Sequence, residues 1–277
     1  MPSVGSNSAI SANRLSYFSL CLSVTASWGS SSSDYFVYYP ETTPKWKPFL
    51  FTLTGMSLAV AFNMLIGVGL ASGIANTPIW SDANSISSGA LILAGYSGLP
   101  VAFANFCGVI VALGLIANNI PGTYSAALGF QMLGRYPNMV PRYIWTCVVV
   151  GIYFICAMVG RDSLFLIFQN FLALMGYWVT VFVCIVAEEH VLFKWNQGFD
   201  WSAWNDQKRL PIGYAALTAF LVGWAGCIVS MYQVYYTGPV AALVGDYGAD
   251  LGIWVGCGFA LLTYPPLRIL ELKFVGR

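Results

Sequence analysis

A chain of 277 residues that is 58% hydrophobic and only 8% charged carries too little charge to solvate a globule and far more apolar surface than one core can bury. The bilayer is therefore its solvent, in keeping with a mean hydropathy of +0.70. A net charge of +1, dealt out loop by loop, excludes the clustered basic face that nucleic-acid binding requires.

The opening residues, MPSVGSNSAISAN, have no basic region followed by an apolar stretch and do not read as a secretory signal. Residues 1–14 are assigned as a polar N-terminal segment. A spanning helix needs roughly 20 apolar residues, and the first segment to approach this is Leu15 to Tyr39. Its first half, LSYFSLCLSVTASW, is moderately apolar and runs into GSSSSDY before recovering as FVYY. Gly29 and the serines after it interrupt the helical ladder and free backbone groups that lipid cannot satisfy. Two readings stay open: a broken span whose gap faces protein or a polar cavity, as in transporter binding sites, or an interfacial loop after a short helix.

The stretch from Phe49 to Gly73 has no charged residue and is the clearest span. Leu99 to Leu133 is long enough for one tilted or interrupted helix, and Asn118, Asn119, Ile120, Pro121 and Gly122 mark a second expected interruption inside it. Pro121 has no N–H to donate, and two adjacent amides need partners inside an apolar segment. They either bond neighbouring helices or present at least one amide to a polar ligand. Tyr143 to Gly160, Leu164 to Ala187, Ile212 to Tyr232 and Leu251 to Leu270 complete seven spans, with a transmembrane helical domain over 15–270 and a tail over 271–277. Glu188, Glu189 and His190 close one span before Lys194 and read as a solvated helix end, with an acid-base or metal cluster as the competing reading. Tyr235 to Asp250, YYTGPVAALVGDYGAD, reads as a re-entrant or loop connection. Gly252 and Gly256 make a GxxxG spacing suited to close helix packing.

Of the twelve Lys and Arg residues, ten fall on one side of this ladder: Lys45, Lys47, Arg135, Arg142, Lys194, Lys208, Arg209, Arg268, Lys273 and Arg277, against Arg14 and Arg161 on the other. The positive-inside rule makes the rich side cytoplasmic, with the C-terminus inside and the N-terminus outside. The seven cysteines lie in apolar runs with no CxxC pair, and read as small buried thiols rather than a zinc site or disulfide framework. With one histidine and no Gly-rich phosphate loop, no metal site, cofactor or enzymatic constellation is expected.

Several long ordered tokens carry a resemblance: SWGSSSSDYFVYYP at 27–40, LIANNIPGTYSAALGFQMLGR at 115–135, NFLALMGYW at 170–178, EEHVLFK at 188–194 and YYTGPVAALVGDYGADLGIW at 235–254, followed by YPPLRILELK. The chain resembles the C-terminal part of the fungal purine-cytosine permeases, in the nucleobase-cation symporter group, from about Leu15 to Arg277. The resemblance implies a twelve-helix transporter of two five-helix inverted repeats plus two helices, of which the seven spans are helices six to twelve. It implies proton-coupled carriage of cytosine, adenine, guanine or hypoxanthine across the plasma membrane. By the same resemblance Trp28 stacks on the flat base, Asn118, Asn119 and Pro121 form the motif linked to substrate affinity, and Asn170, Phe171 and Leu174 stand nearer a gate. No counterpart of the first repeat is present, so half the pocket is missing and a truncated permease is expected. A degenerate, non-transporting membrane protein or a partner of a full permease is the alternative, and an unrelated seven-helix receptor is disfavoured by the two interruptions.

Overall fold

Lipid-length apolar runs, interrupted where glycine, serine and proline gather, set the order of elements. The computed structural model describes residues 6–160, 164–196, 198–200, 202, 206, 208–245 and 248–276, with the side chains of 164–170 outside the description. Helix α1 spans Asn7–Ala26 and leads through a 3-10 turn, Ser27–Ser30, to the short α2, Ser33–Phe36. Then follow α3 (Trp46–Ile74), α4 (Pro78–Ile86), α5 (Ser88–Ala94), α6 (Val101–Met132), α7 (Arg135–Met139) and α8 (Arg142–Gly160). Helix α9 (Leu164–Glu188) runs into a π-helical turn, Glu189–Lys194. After α10 (Tyr214–Ser230), strands β1 (Tyr232–Gln233) and β2 (Tyr236–Thr237) pair antiparallel, Tyr232 opposite Thr237, before α11 (Gly252–Val275).

Among the described residues, five helices are long and apolar enough to cross a membrane: Trp46–Ile74, Val101–Met132, Arg142–Gly160, Phe171–Lys194 and Gly252–Val275. Two of the seven expected spans differ. Tyr214–Ser230 is apolar but only 17 residues long, and the segment expected over Leu15 to Tyr39 starts earlier, at Asn7, and divides at Ser27. The interruption expected around Asn118 to Gly122 is not seen as a break, for α6 is helical from end to end with Pro121 inside it. A proline removes one backbone donor, and a 32-residue helix keeps its course through that single loss. Arg161 and Arg277, both used in the charge count, lie outside the described residues.

The chain forms two compact units, Met1–Ser33 with Gln169–Arg277, and Asp34–Phe168. The core of the first is built where small residues let backbones approach. Tyr177, Val181 and Ile185 of α9, Ala215, Ala219 and Cys227 of α10, and Ile253, Ala260 and Tyr264 of α11 cluster there. The Gly252/Gly256 spacing is the packing face of α11: a Cβ at Gly252 would stand 2.6 Å from the Tyr177 ring, and one at Gly256 would collide with the Cys227 sulfur. Gly176 brings α9 against Ser23 of α1 in the same way.

A buried ion cluster joins α9 to α11. Arg268, 2% exposed, gives Nε to Glu189 Oε2 at 3.2 Å, Nη2 to Glu189 Oε1 at 3.2 Å and Nη1 to Glu271 Oε2 at 3.1 Å. Tyr264 donates its hydroxyl to Glu189 Oε2 at 2.8 Å. Glu271 Oε1 takes the N–H of Gly213 at 2.9 Å. Gly213 has φ +86°, a left-handed conformation that favours glycine, at the residue before α10. Glu189 is therefore not part of a solvated helix end, since the π-helical turn that begins with it coincides with its pairing to Arg268. His190 is the exposed member, stacked on Phe199 at 5.8 Å. The seven cysteines are free, Cys227 buried but Cys147 and Cys156 exposed, so burial of thiols holds only in part.

In the second unit α6 packs on α8, with Phe130 and Trp145 stacked at 5.0 Å. The Trp80 ring of α4 lies over Gly73 of α3, and Leu93 of α5 over Gly108 of α6. Within this unit α3 and α8 hold no buried residue, and Phe49, Leu53, Phe62, Tyr143 and Phe154 are exposed, as expected of surfaces solvated by lipid.

Two stability predictions follow the packing. Gly256→Val should lower stability by about 1–3 kcal/mol through overpacking against Cys227, whereas Gly258→Val, with open space at its Cβ, should cost little; thermal unfolding in detergent measures both. Arg268→Met should cost about 3–5 kcal/mol by leaving two carboxylates uncompensated, and adding Glu189→Gln and Glu271→Gln should recover most of it in the same assay.

Candidate functional site

The broken segment is built so that its hydroxyls serve the backbone. Past the end of α1, Ser31 and Ser32 both donate their N–H to the Trp28 carbonyl, at 3.2 and 2.9 Å. Ser23, Thr25 and Ser27 return their hydroxyls to the carbonyls of Leu20, Leu22 and Val24 at 2.7, 2.9 and 2.7 Å, and Ser30 reaches that of Ser27 at 3.3 Å. Such side-chain bonds compete with the helix ladder and compensate where it ends. Trp28 sits half-buried in the 3-10 turn. Gly29 next to it lets the turn close on α9, where a Cβ would meet Val183 at 2.8 Å.

Asn118, Asn119 and Pro121 lie in α6, in the second unit, whereas Trp28 belongs to the first. Both asparagines are exposed, and among the described residues neither amide side chain forms a hydrogen bond. They do not bond neighbouring helices here, which was one of the two expected roles. Pro121 is instead the anchored residue of the motif: Tyr35 of α2 donates its hydroxyl to the Pro121 carbonyl at 2.7 Å and shares a bond with Ser125 at 3.1 Å. Thr123 bonds the Asn119 carbonyl at 2.8 Å. Beyond it, the Tyr38 and Tyr124 hydroxyls meet at 2.5 Å, and Arg142 Nη1 donates to Tyr124 at 3.1 Å. Within this unit, the residues that follow the break are fastened to the helix that carries the amides.

The expected gate residues part company. On α9 Phe171 is exposed, Leu174 packs against the core of its unit, and the Asn170 side chain lies outside the described residues.

A polar joint not foreseen from the sequence lies one turn further along α9. Tyr177 donates to Asp250 Oδ2 at 2.7 Å, and Gln233 gives its amide N–H to the Tyr177 hydroxyl at 2.5 Å and to Asp250 Oδ2 at 3.3 Å. Asp250 Oδ1 accepts from Gly252 at 3.0 Å, which caps α11, and the Asp250 N–H donates to Ser16 of α1 at 3.0 Å. Trp254 Nε1 donates to Ser19 at 2.9 Å while its ring stacks on Phe18. Burial pushes the Asp250 carboxyl up, against the opposing pull of Tyr177 and the backbone donors. The one sequence signal was an acid beside glycines in an otherwise apolar loop.

No family model matches the chain, and no solved structure does. Curated relatives do. The vitamin B6 transporter TPN1 of Saccharomyces cerevisiae is 33% identical over 313 residues, covering 96% of this chain and 54% of its own length. The purine-cytosine permease fcyB of Emericella nidulans is 35% identical over 266 residues, covering 95% and 52%. The purine-cytosine permease FCY2 of Saccharomyces cerevisiae is 33% identical over 271 residues, covering 95% and 50%. The chain thus spans about half the length of the relatives it matches. Across nearly all of its own residues it is a homologue of the family that holds the fungal purine-cytosine permeases and this vitamin B6 transporter.

Proposed function

We propose that this chain is one part of a membrane transporter for flat nitrogen heterocycles, nucleobases first, in which it supplies one wall of the substrate site. The observation that carries this is similarity over 95% of the chain to purine-cytosine permeases, with five span-length apolar helices among the described residues. In this reading the seven apolar segments are helices six to twelve of a 5+5+2 fold in the plasma membrane, N-terminus outside and C-terminus inside, and protons drive uptake. Residues 15–270 form the membrane domain. The role is transport and not catalysis.

The mechanism follows from what each residue type can do. Trp28 offers an indole face on which a base stacks without demand for one particular heterocycle, worth about 1–3 kcal/mol per base. Asn118 and Asn119 present amides able to meet the paired donor and acceptor of a base edge. Adjacent helical residues point about 100° apart, so one of the two faces the ligand better than the other. Pro121, tied to Tyr35, holds that turn of α6 in place. Asn170, Phe171 and Leu174 lie on α9, where a gate would close. Alternating access moves one repeat against another, so the matching remainder of a permease completes the machine. A second reading is favoured by TPN1: vitamin B6 is a substituted pyridine, equally flat and equally able to stack on Trp28. A non-transporting membrane protein is the outcome if neither class of substrate moves.

Uptake of labelled cytosine, adenine and pyridoxine, in cells lacking their own permeases, tests this with and without a co-expressed first half of a related permease. Saturable uptake should appear only on co-expression. Uptake by the lone chain would overturn the half-site reading, and none under either condition would overturn transport. In the co-expressed system Trp28→Ala should weaken substrate affinity by about 1–3 kcal/mol. One of Asn118→Ala and Asn119→Ala should raise KM at normal abundance while the other lowers abundance.

A further inference from the structure

Asp250 is a half-buried carboxylate whose partners among the described residues are neutral. Its two oxygens accept from the Tyr177 hydroxyl, the Gln233 amide and the Gly252 N–H, and it forms no ion pair among the described residues. The contrast within the same unit is sharp: Glu189 and Glu271 share Arg268. A desolvated carboxylate without a cation is costly when charged, because hydrogen bonds from neutral donors only partly replace water. Among the described residues, the elements packed around it offer no cation to compensate it. From α9 it faces the Tyr177 hydroxyl and from α10 the Cys227 thiol; from α1 it meets the Ser16 hydroxyl, from the hairpin Gln233 and the Tyr232 backbone, and from α11 a backbone N–H.

The position gives this chemistry a consequence. The carboxylate is the acceptor on which α9 and the hairpin converge, and its own N–H fixes α1. Tyr177 is one helical turn from Leu174 of the expected gate. We propose that Asp250 is a proton-binding site within this joint, and that taking up a proton re-pairs the hydrogen bonds that tie α9 to the hairpin and to the start of α11. The proton adds to a carboxylate oxygen and turns an acceptor into a donor. At Oδ2 this competes directly with the bonds from Tyr177 and Gln233, and Tyr177, already accepting from Gln233, is left to find another acceptor. The consequence for transport rests on the function proposed above; the titration itself does not.

The upward push that burial gives the carboxyl fixes the sign of the effect. An acid whose folded pKa stands above its unfolded value favours the fold in its protonated form. Stability should therefore rise as pH falls through the folded pKa, with the gain complete below the ordinary aspartate value of 3.8. The 277-residue chain, purified in detergent, should show in pH-difference infrared spectra a protonated-carboxyl band that Asp250→Asn abolishes and Asp82→Asn leaves intact. The thermal midpoint should rise in the parent on acidification from neutral pH toward the ordinary aspartate value of 3.8, with that slope reduced in Asp250→Asn. Tyr177→Phe, which removes a bond favouring the charged form, should move the band's midpoint to higher pH. That variant carries the test by itself if Asp250→Asn does not fold. Identical spectra and slopes in parent and Asp250→Asn, or an unmoved midpoint in Tyr177→Phe, would overturn the proposal. Absence of uptake on co-expression, with these spectra as expected, would defeat the transport reading alone.

Discussion

In an apolar solvent every backbone N–H and C=O must find its partner inside the protein, and the architecture of this chain is organised around that demand. Where the ladder is whole, as in α3 and α8, the surface can be apolar throughout and exposed. Where it ends, polar side chains gather. The hydroxyls around Trp28 close on carbonyls within four residues of themselves. The Pro121 carbonyl is claimed by a tyrosine 86 residues distant in sequence. The first solution is local and tolerates movement of the turn as a body, and the second fastens one segment to another.

Association between apolar helices in lipid gains little from the hydrophobic effect, so packing and polar joints must hold them. Both are visible in the first unit. Gly176, Gly223, Gly252 and Gly256 bring helices close enough that added methyl groups would collide with neighbours, and the polar joints lie toward the ends of the same packed surfaces. The Arg268 cluster sets one guanidinium against two carboxylates, which makes it costly to break by halves rather than strongly stabilising as a whole. It specifies which ends meet.

Much of the ladder was legible because helix length in lipid is fixed by thickness: Leu164 to Ala187 is observed as Leu164–Glu188, and Tyr143 to Gly160 as Arg142–Gly160. The break at Trp28 was legible too, since glycine and serines in a row weaken a helix on their own account. Pro121 misled because a proline is a local penalty whose outcome the rest of the helix decides. Glu189 and Asp250 were not legible as site residues. Their meaning lies in partners 79 and 73 positions away, Arg268 and Tyr177, and a charged residue at the end of a span looks the same whether it meets water or a guanidinium. The Asn118 pair stood out as two amides in an apolar span, but the stacking role of Trp28 and the joining of the two into one site came from resemblance.

The two joints between α9 and α11 differ in a way that bears on movement. Glu189, just past the end of α9, meets Arg268 of α11, and Tyr177 of α9 meets Asp250, just before the start of α11, so the two helices run in the same direction with α10 returning between them. At one joint an arginine, always protonated, is shared by two carboxylates. At the other a lone carboxylate depends on neutral donors. The first pairs opposite charges; the second, by the proposal above, changes its hydrogen bonding with a single proton. A helix held by one fixed joint and one titratable joint can pivot about the fixed one, which places the freedom of α9 at the end that bears Phe171 and Leu174.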